Sequence, residues 1–303
     1  MLEIVLNLLA FYLILALGAY LRRYLNPGLQ KQSGVFLVRY ALPMVFFISA
    51  LRIHDHGLLS VSLLSLLSSL LVFGSIAVLR RGDPDGIALG TMSSWSNNAF
   101  LGIPLASILF GSRGTEIASL WASGSITFFS LVSAIFFTEG SGGHQGWLLA
   151  FLRKIIFPPY IPAFLAGFAL SQFGFVPSPV LSSILWFASQ AIFVLSVLYV
   201  GSCLKLQGDI FRSKLILHAL LFKHALFPLL AGFLLFLDAA VLGSFSEADY
   251  PAILFMSVMP VAINVVILFQ GRAELQSQAA FSVTVSTLIT ILMSVAFLAY
   301  KVA

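Results

Sequence analysis

Apolar residues in this chain come in long runs, each broken by a short cluster of charged, Gly or Pro residues. Ten runs can be drawn, at 4–21, 35–51, 58–79, 86–110, 115–137, 155–171, 180–201, 215–237, 251–270 and 278–299. A bilayer core of roughly 30 Å is crossed by about 20 apolar residues in a helix, which is the length of these runs. Strands of a transmembrane barrel alternate in character over about ten residues, and runs this continuous exclude them. The pattern predicts an all-α membrane protein with ten transmembrane helices.

Composition agrees. Of 303 residues, 60% are hydrophobic and 9% charged, against about 25% charged in a soluble domain. The amino-terminal MLEIVLNLL carries an acid where a secretory signal is basic, and its run is of full span length, so no cleaved signal is expected. The single cysteine, Cys203, rules out an intramolecular disulfide and a Cys-based metal site; it reads as a small packing residue.

The net charge of +5 is better explained by membrane topology than by nucleic acid. With the amino terminus outside, the inner segments hold eleven Lys and Arg residues: Arg22, Arg23, Lys31, Arg80, Arg81, Arg153, Lys154, Lys205, Arg212, Lys214 and Arg272. The outer segments hold three, Arg52, Arg113 and Lys301, and Arg39 and Lys223 fall within spans. Positive residues favour the cytoplasmic side, so both termini are expected outside a cell (inner or plasma) membrane.

The longest polar break, EGSGGHQGW at 139–147, leaves five runs on each side. An odd number of spans makes a duplicated half enter from the opposite face. The expected organisation is a first repeat over 1–138, a cytoplasmic linker at 139–154 and an inverted second repeat over 155–303. Pro104 in the fourth run and Pro260 in the ninth stand 156 residues apart, close to the 157 that separate the starts of the third and eighth runs. Inverted repeats with interrupted spans at matching places point to a secondary transporter with its site at the repeat interface.

The fourth run contains SWSNNAFLGIP, with strongly hydrogen-bonding groups and a helix breaker at membrane depth. Proline removes a donor and clashes with the preceding turn, and freed backbone is tolerated there only against protein or a water-filled cavity. Asn97 lies about 16 Å and Pro260 about 14 Å from their respective span ends at 1.5 Å per residue, near the midplane. A helix broken at Gly102–Pro104 presents an amino-terminal end with unpaired N–H groups, a seat for an anion. Ser94, Ser96, Asn97, Asn98 and Asn264 would supply polar contacts. The other reading, that Asn and Ser only bind helices together and Pro104 only kinks one, stays open here.

SNNAFLGIP and MPVAIN together resemble the auxin efflux carrier family, which includes plant PIN-like exporters and bacterial malonate and malate permeases. The family pattern N-x-x-F-x-G-x-P is matched by Asn97, Phe100, Gly102 and Pro104, and P-x-x-x-N by Pro260 and Asn264. ALPMVFF at 41–47, PPYIPAFLAG at 158–167, VGSCL at 200–204, FKHALFP at 222–228 and STLITI at 286–291 agree as well. AIFV at 191–194 departs from it, lacking the proline that many relatives carry in the seventh span.

The resemblance implies a ten-helix inverted-repeat fold similar to bile-acid/sodium symporters, with broken, crossing fourth and ninth helices. It implies a scaffold of helices 1, 2, 6 and 7 and a moving transport domain of helices 3–5 and 8–10. It further implies elevator-type carriage of a small organic anion such as malonate, malate or an indole acid, and a homodimer through the scaffold.

Two cations lie inside spans. Arg39 is about 6 Å deep by helix rise and can snorkel. Lys223 is about 12 Å deep; it adds positive potential to an anion path, or holds the crossover by bonding freed carbonyls, or faces an inner vestibule with no specific task. No Asp or Glu lies well inside a run, so a buried acid as proton carrier has no candidate. Sodium could still bind unwound backbone, His218 and His224 are the titratable alternatives, and coupling stays open.

An enzyme is not expected. His54, Asp55 and His56 offer too few ligands for a catalytic metal, no Ser has a His and an acid at recognisable spacing, and no cofactor is implied. The runners-up are an anion channel and a ligand-binding receptor without transport.

Overall fold

The structure, a computed structural model, describes residues 2–53, 59–83, 85–136, 159–204, 213–269 and 272–302. The linker expected at 139–154 and the His54–His56 cluster lie outside the described residues.

The described chain is helical throughout, and its only β pairing is one isolated bridge. In chain order the helices are α1 (Leu2–Leu21), α2 (Pro27–Phe36), α3 (Leu42–Ala50), α4 (Leu59–Leu79), α5 (Gly86–Ser94), α6 (Ile103–Phe136), α7 (Tyr160–Gln172), α8 (Pro179–Cys203), α9 (Lys214–Leu221), α10 (Phe227–Val241), α11 (Tyr250–Ser257), α12 (Asn264–Leu268) and α13 (Ala273–Val302). Among the described residues six stretches are long and apolar enough to cross a membrane: Leu2–Tyr24, Gly28–Ala50, Leu59–Leu79, Pro179–Cys203, Lys214–Val241 and Ala273–Ala299. The protein is a multi-pass membrane protein. The runs at 86–110 and 251–270 are each divided into short helices, and α6 turns sharply at Gly111, whose φ is 67°.

Local chemistry sets several boundaries. Asn26 caps α2, accepting from the Leu29 N–H at 2.6 Å, with Pro27 at the first helical position. Ser178 and Pro179 open α8 in the same way. Three prolines inside longer helices share one device. Pro43, Pro104 and Pro228 each follow a five-residue π-turn, at Leu37–Ala41, Asn98–Gly102 and Phe222–Leu226. A proline cannot donate and collides with the carbonyl four residues back. Widening the preceding turn to i→i−5 bonds, as in Gly102 N–H to the Asn97 carbonyl at 3.2 Å, lets the helix pass the ring.

Side chains are distributed as a lipid solvent requires. Large apolar residues face outward, among them Val78 (76% exposed), Val180 (71%), Phe187 (67%) and Leu292 (71%). The interior holds Ser65, Ser68, Ser69, Thr91, Ser93, Ser119, Ser282, Thr287 and Ser294, all buried. Lipid tails are as apolar as leucine, so small residues that let helices approach take over the packing. α1 and α8 approach closely: a Cβ on Gly18 would sit 2.3 Å from the Leu198 carbonyl oxygen, and one on Gly201 would sit 2.1 Å from that of Leu15.

Hydrogen bonds and ion pairs tie helix ends that lie far apart in sequence. Arg22 donates to the Leu204 carbonyl at 2.7 Å, and Arg80 meets His218 Nδ1 at 3.0 Å. Ser171 donates to the Ile53 carbonyl at 2.8 Å, and Arg113 pairs with Asp249.

Candidate functional site

The site is built where two helices fail. α5 stops at Ser94 because Trp95 adopts extended backbone (φ −101°, ψ 120°). Its indole is held there by stacking on Phe129, with ring centroids 3.6 Å apart and planes at 12°. In the second half of the chain α11 ends at Ser257, and Pro260 lies in the unwound stretch before α12. The two stretches run antiparallel and pair. Asn97 N–H donates to the Pro260 carbonyl at 2.7 Å, Ala262 N–H donates to the Trp95 carbonyl at 3.0 Å, and Ser96 bridges Val261. Each break thus satisfies part of the other's freed backbone, as burial demands.

Beside this junction lies a small cavity of about 80 Å³. That is well above the roughly 10–15 Å³ needed for one water. Val38, Leu42, Phe129 and Tyr160 form apolar walls, and Ser96, Asn97, Asn98, Ser125 and Asn264 supply polar groups. Asn97 (3% exposed) and Asn98 (2%) are buried. Asn97 Nδ2, both polar atoms of the Asn98 side chain and Ser125 Oγ have no hydrogen-bond partner among the described residues. Unpaired buried amides and hydroxyls are costly and rare. Four polar atoms left open around one cavity therefore mark it as a place where water or a polar ligand completes the bonding.

The residues expected at the site divide into two groups. Asn97, Asn98 and Asn264 line the cavity together. Ser94, Gly102, Pro104 and Pro260 are buried beside it without lining it. Ser94 Oγ bonds back to the Gly90 carbonyl at 2.7 Å, within its own helix. Gly102 serves packing, since a Cβ there would lie 2.7 Å from Met256 Cε. Pro260 contributes its carbonyl to the junction. The break itself falls at Trp95–Asn97, several residues before the expected Gly102–Pro104, because the π-turn carries the helix past Pro104. The new helical segment therefore begins at Asn98, whose N–H and the next two precede the first helical bond, from Leu101 to the Asn97 carbonyl at 3.3 Å. In a continuous helix Asn98 would point about 100° further round than Asn97. With Asn97 outside regular helix, both side chains reach the cavity.

Ser125, Phe129 and Tyr160 were not singled out from sequence. Ala122, Ser125, Ile126 and Phe129 follow the i, i+3, i+4, i+7 spacing of one helical face, all lining the cavity. A serine on that stripe was the available signal.

Lys223 is wholly buried. Its Nζ donates to Ser96 Oγ in the junction and lies 3.9 Å from the Phe227 ring centroid. His218 is held by Arg80, and both ring nitrogens of His224 lack a partner among the described residues.

At one end of the assembly Arg113 Nε and Nη2 each meet a different oxygen of Asp249 at 2.8 Å, a two-pronged pair. Ser246 Oγ adds a bond to the same carboxylate at 2.9 Å. The Arg113 hydrogen bond is the main reason the Asp249 carboxyl is held below its ordinary value. This clasp ties the turn at Gly111 in α6 to the start of α11.

No family model matches the chain. It is similar to a protein of Rhizobium meliloti named "Putative malonate transporter", with 22% identity over 312 residues covering 96% of this chain and 93% of that one. It is also similar to an "Uncharacterized transporter" of Methanothermobacter thermautotrophicus, 26% identical over 205 residues, covering 64% of this chain and 66% of that one. With the helical, lipid-facing architecture described above, these relatives support membrane transport of a small molecule as the role of this chain.

Proposed function

We propose that this protein is a secondary transporter for a small organic anion, of the auxin efflux carrier type, and that the cavity at the junction is its substrate site. The observation that carries the reading is the set of unpaired polar atoms on Asn97, Asn98 and Ser125 around one buried cavity. An asparagine Nδ2 donates to a carboxylate, and charge-assisted bonds of this kind are stronger than neutral ones. The helical segment starting at Asn98 adds unpaired N–H groups and a partial positive charge. The malonate named for the Rhizobium relative is a three-carbon dianion, small enough to suit a tight cavity.

In this reading ten spans form two inverted repeats, 1–138 and 155–303, with the paired stretches at 95–97 and 258–263 as the crossing of the fourth and ninth. Val38 and Leu42 belong to the second span and Tyr160 to the sixth, the proposed scaffold. The remaining lining residues belong to the fourth, fifth and ninth spans, in the proposed transport domain. A site at that boundary suits elevator-type alternating access, because a sliding transport domain carries the anion past fixed apolar walls. A homodimer through the scaffold and both termini outside the plasma membrane complete the proposal.

Counterflow from preloaded proteoliposomes tests it. External malonate should be taken up faster when malonate is trapped inside, whereas a channel or a receptor shows no acceleration. A thermal-stability screen of the purified protein against carboxylates identifies the anion, because a ligand selective for the folded state raises its stability. Cysteines introduced at Ser141 and Ser246 should label from opposite faces, Ser246 from outside; labelling from one face overturns the topology.

A further inference from the structure

An ammonium group buried in a membrane protein ordinarily faces a carboxylate. Lys223 does not: no Asp or Glu forms an ion pair with it among the described residues. It occurs in the π-turn Phe222–Leu226 on the way to Pro228. Its contacts are the Ser96 hydroxyl, two residues past the end of α5, and the face of Phe227.

Those surroundings favour a cation for reasons the backbone supplies. α5 and α11 both end at the junction, and a helix carboxyl-terminal end carries about half an elementary negative charge. At α11 the Phe255, Met256 and Val258 carbonyls are taken up by Val258 N–H, Met259 N–H and Thr290 Oγ1, so the open end is that of α5. Trp95 N–H returns to Thr91 O at 3.1 Å, which leaves the following carbonyls of the last turn without helical partners. An aromatic face adds attraction for a cation within about 6 Å. In transporters with interrupted helices, unwound carbonyls and half-helix carboxyl-terminal ends form the seat of a coupling cation such as sodium.

Resting on the anion-transporter reading above, we propose that the Lys223 ammonium is a tethered cation filling that seat, so that this protein binds its anion without sodium. Ser96 also lines the cavity, which places the ammonium one hydrogen bond from the anion site. A covalently held cation takes no free ion from solution and is present at every encounter with substrate. It supplies positive potential at Ser96 on the cavity, and the segment starting at Asn98 adds its own.

The experiment is a malonate titration of the purified protein in sodium chloride and in choline chloride, for the native chain and Lys223→Met. Native affinity should be equal in the two salts, and Lys223→Met, which keeps length and apolar stem, should bind at least about tenfold more weakly in both. A native chain that needs sodium, or a folded Lys223→Met that binds malonate as the native chain does, overturns the proposal. A second readout needs no anion. Lys223→Ala opens the seat, so its thermal midpoint should rise with sodium or butylammonium relative to choline, while the native midpoint does not respond. Absence of that selective rise in Lys223→Ala counts against the cation seat. A native chain that binds no carboxylate, together with a Lys223→Ala that responds to cations, removes the anion reading and keeps the cation seat.

Discussion

The two broken stretches face the same problem and solve it differently. Around Pro260 the freed backbone is met by α13: Val261 N–H donates to Ser286 Oγ at 3.0 Å, and Thr290 Oγ1 donates to the Val258 carbonyl at 3.0 Å. Those residues stand four apart, on one helical face, and brace the break. Beside the Trp95–Asn97 break, α6 offers Ser125, whose hydroxyl has no partner among the described residues, and the adjacent asparagine side chains are open as well. Both stretches border the cavity, but the second break is braced by side chains of the next helix while the first leaves side-chain polar atoms open. The difference separates support from binding: a polar group that the fold satisfies positions the backbone, while one that the fold leaves open is available to a ligand.

The sharpest way to break this comparison is at Asn97. Losing a hydrogen bond to a charged group costs about 1.5–3 kcal/mol, so Asn97→Ala should weaken malonate binding roughly ten- to a hundred-fold, measured by titration of the purified protein. Asn98→Ala, on the same cavity, should also weaken binding measurably. If both variants lose stability while affinity stays unchanged, the asparagines are packing groups and the two breaks are alike.

The complementary substitution is Ser286→Ala. It leaves the buried Val261 N–H unsatisfied, which costs about 1–3 kcal/mol. The loss should appear as a lower denaturation midpoint with little change in intrinsic anion affinity. A variant that binds poorly yet unfolds normally would make the second break part of the binding surface.

A smaller effect is expected at the clasp between the two halves. Asp249 has its carboxyl held below the ordinary value of 3.8. Its contribution to stability is therefore present above that value and is lost as pH falls through the lower folded value. Asp249→Asn should cost less than about 1 kcal/mol at neutral pH and should flatten the acid side of the stability profile. An unchanged acid limb would mean that the pair contributes no linkage.

Much of this was legible in the residues. Run length and continuity gave the helical membrane class, and SNN and MPVAIN directed attention to the two places where helices end. The π-turns were not legible, because a proline in a run says only that regular bonding fails near it. Whether the chain unwinds there or widens by one residue depends on what lies alongside. At Pro104 the tight approach of Gly102 to Met256 accompanies widening, and the unwinding moves back to Trp95, where Phe129 offers a stacking face. The role of Ser125 was hidden for a related reason: serine is frequent in these helices, and many of its hydroxyls bond back within the helix, as at Ser68, Ser94 and Ser119.

The sequence by itself determined the solvent and the element type, since about 20 apolar residues in a row leave backbone groups no partners in lipid but their own helix. It also placed strongly polar side chains at membrane depth. Only the tertiary structure decided which of them are spent on the fold. Ser94 turns to its own helix, Ser96 takes the Lys223 ammonium, and Asn97 uses its backbone N–H on Pro260 while its side-chain amide stays open. For Ser96 and Asn97 that allocation rests on hydrogen bonds between residues more than a hundred positions apart, whose partners are fixed by packing and not by spacing along the chain.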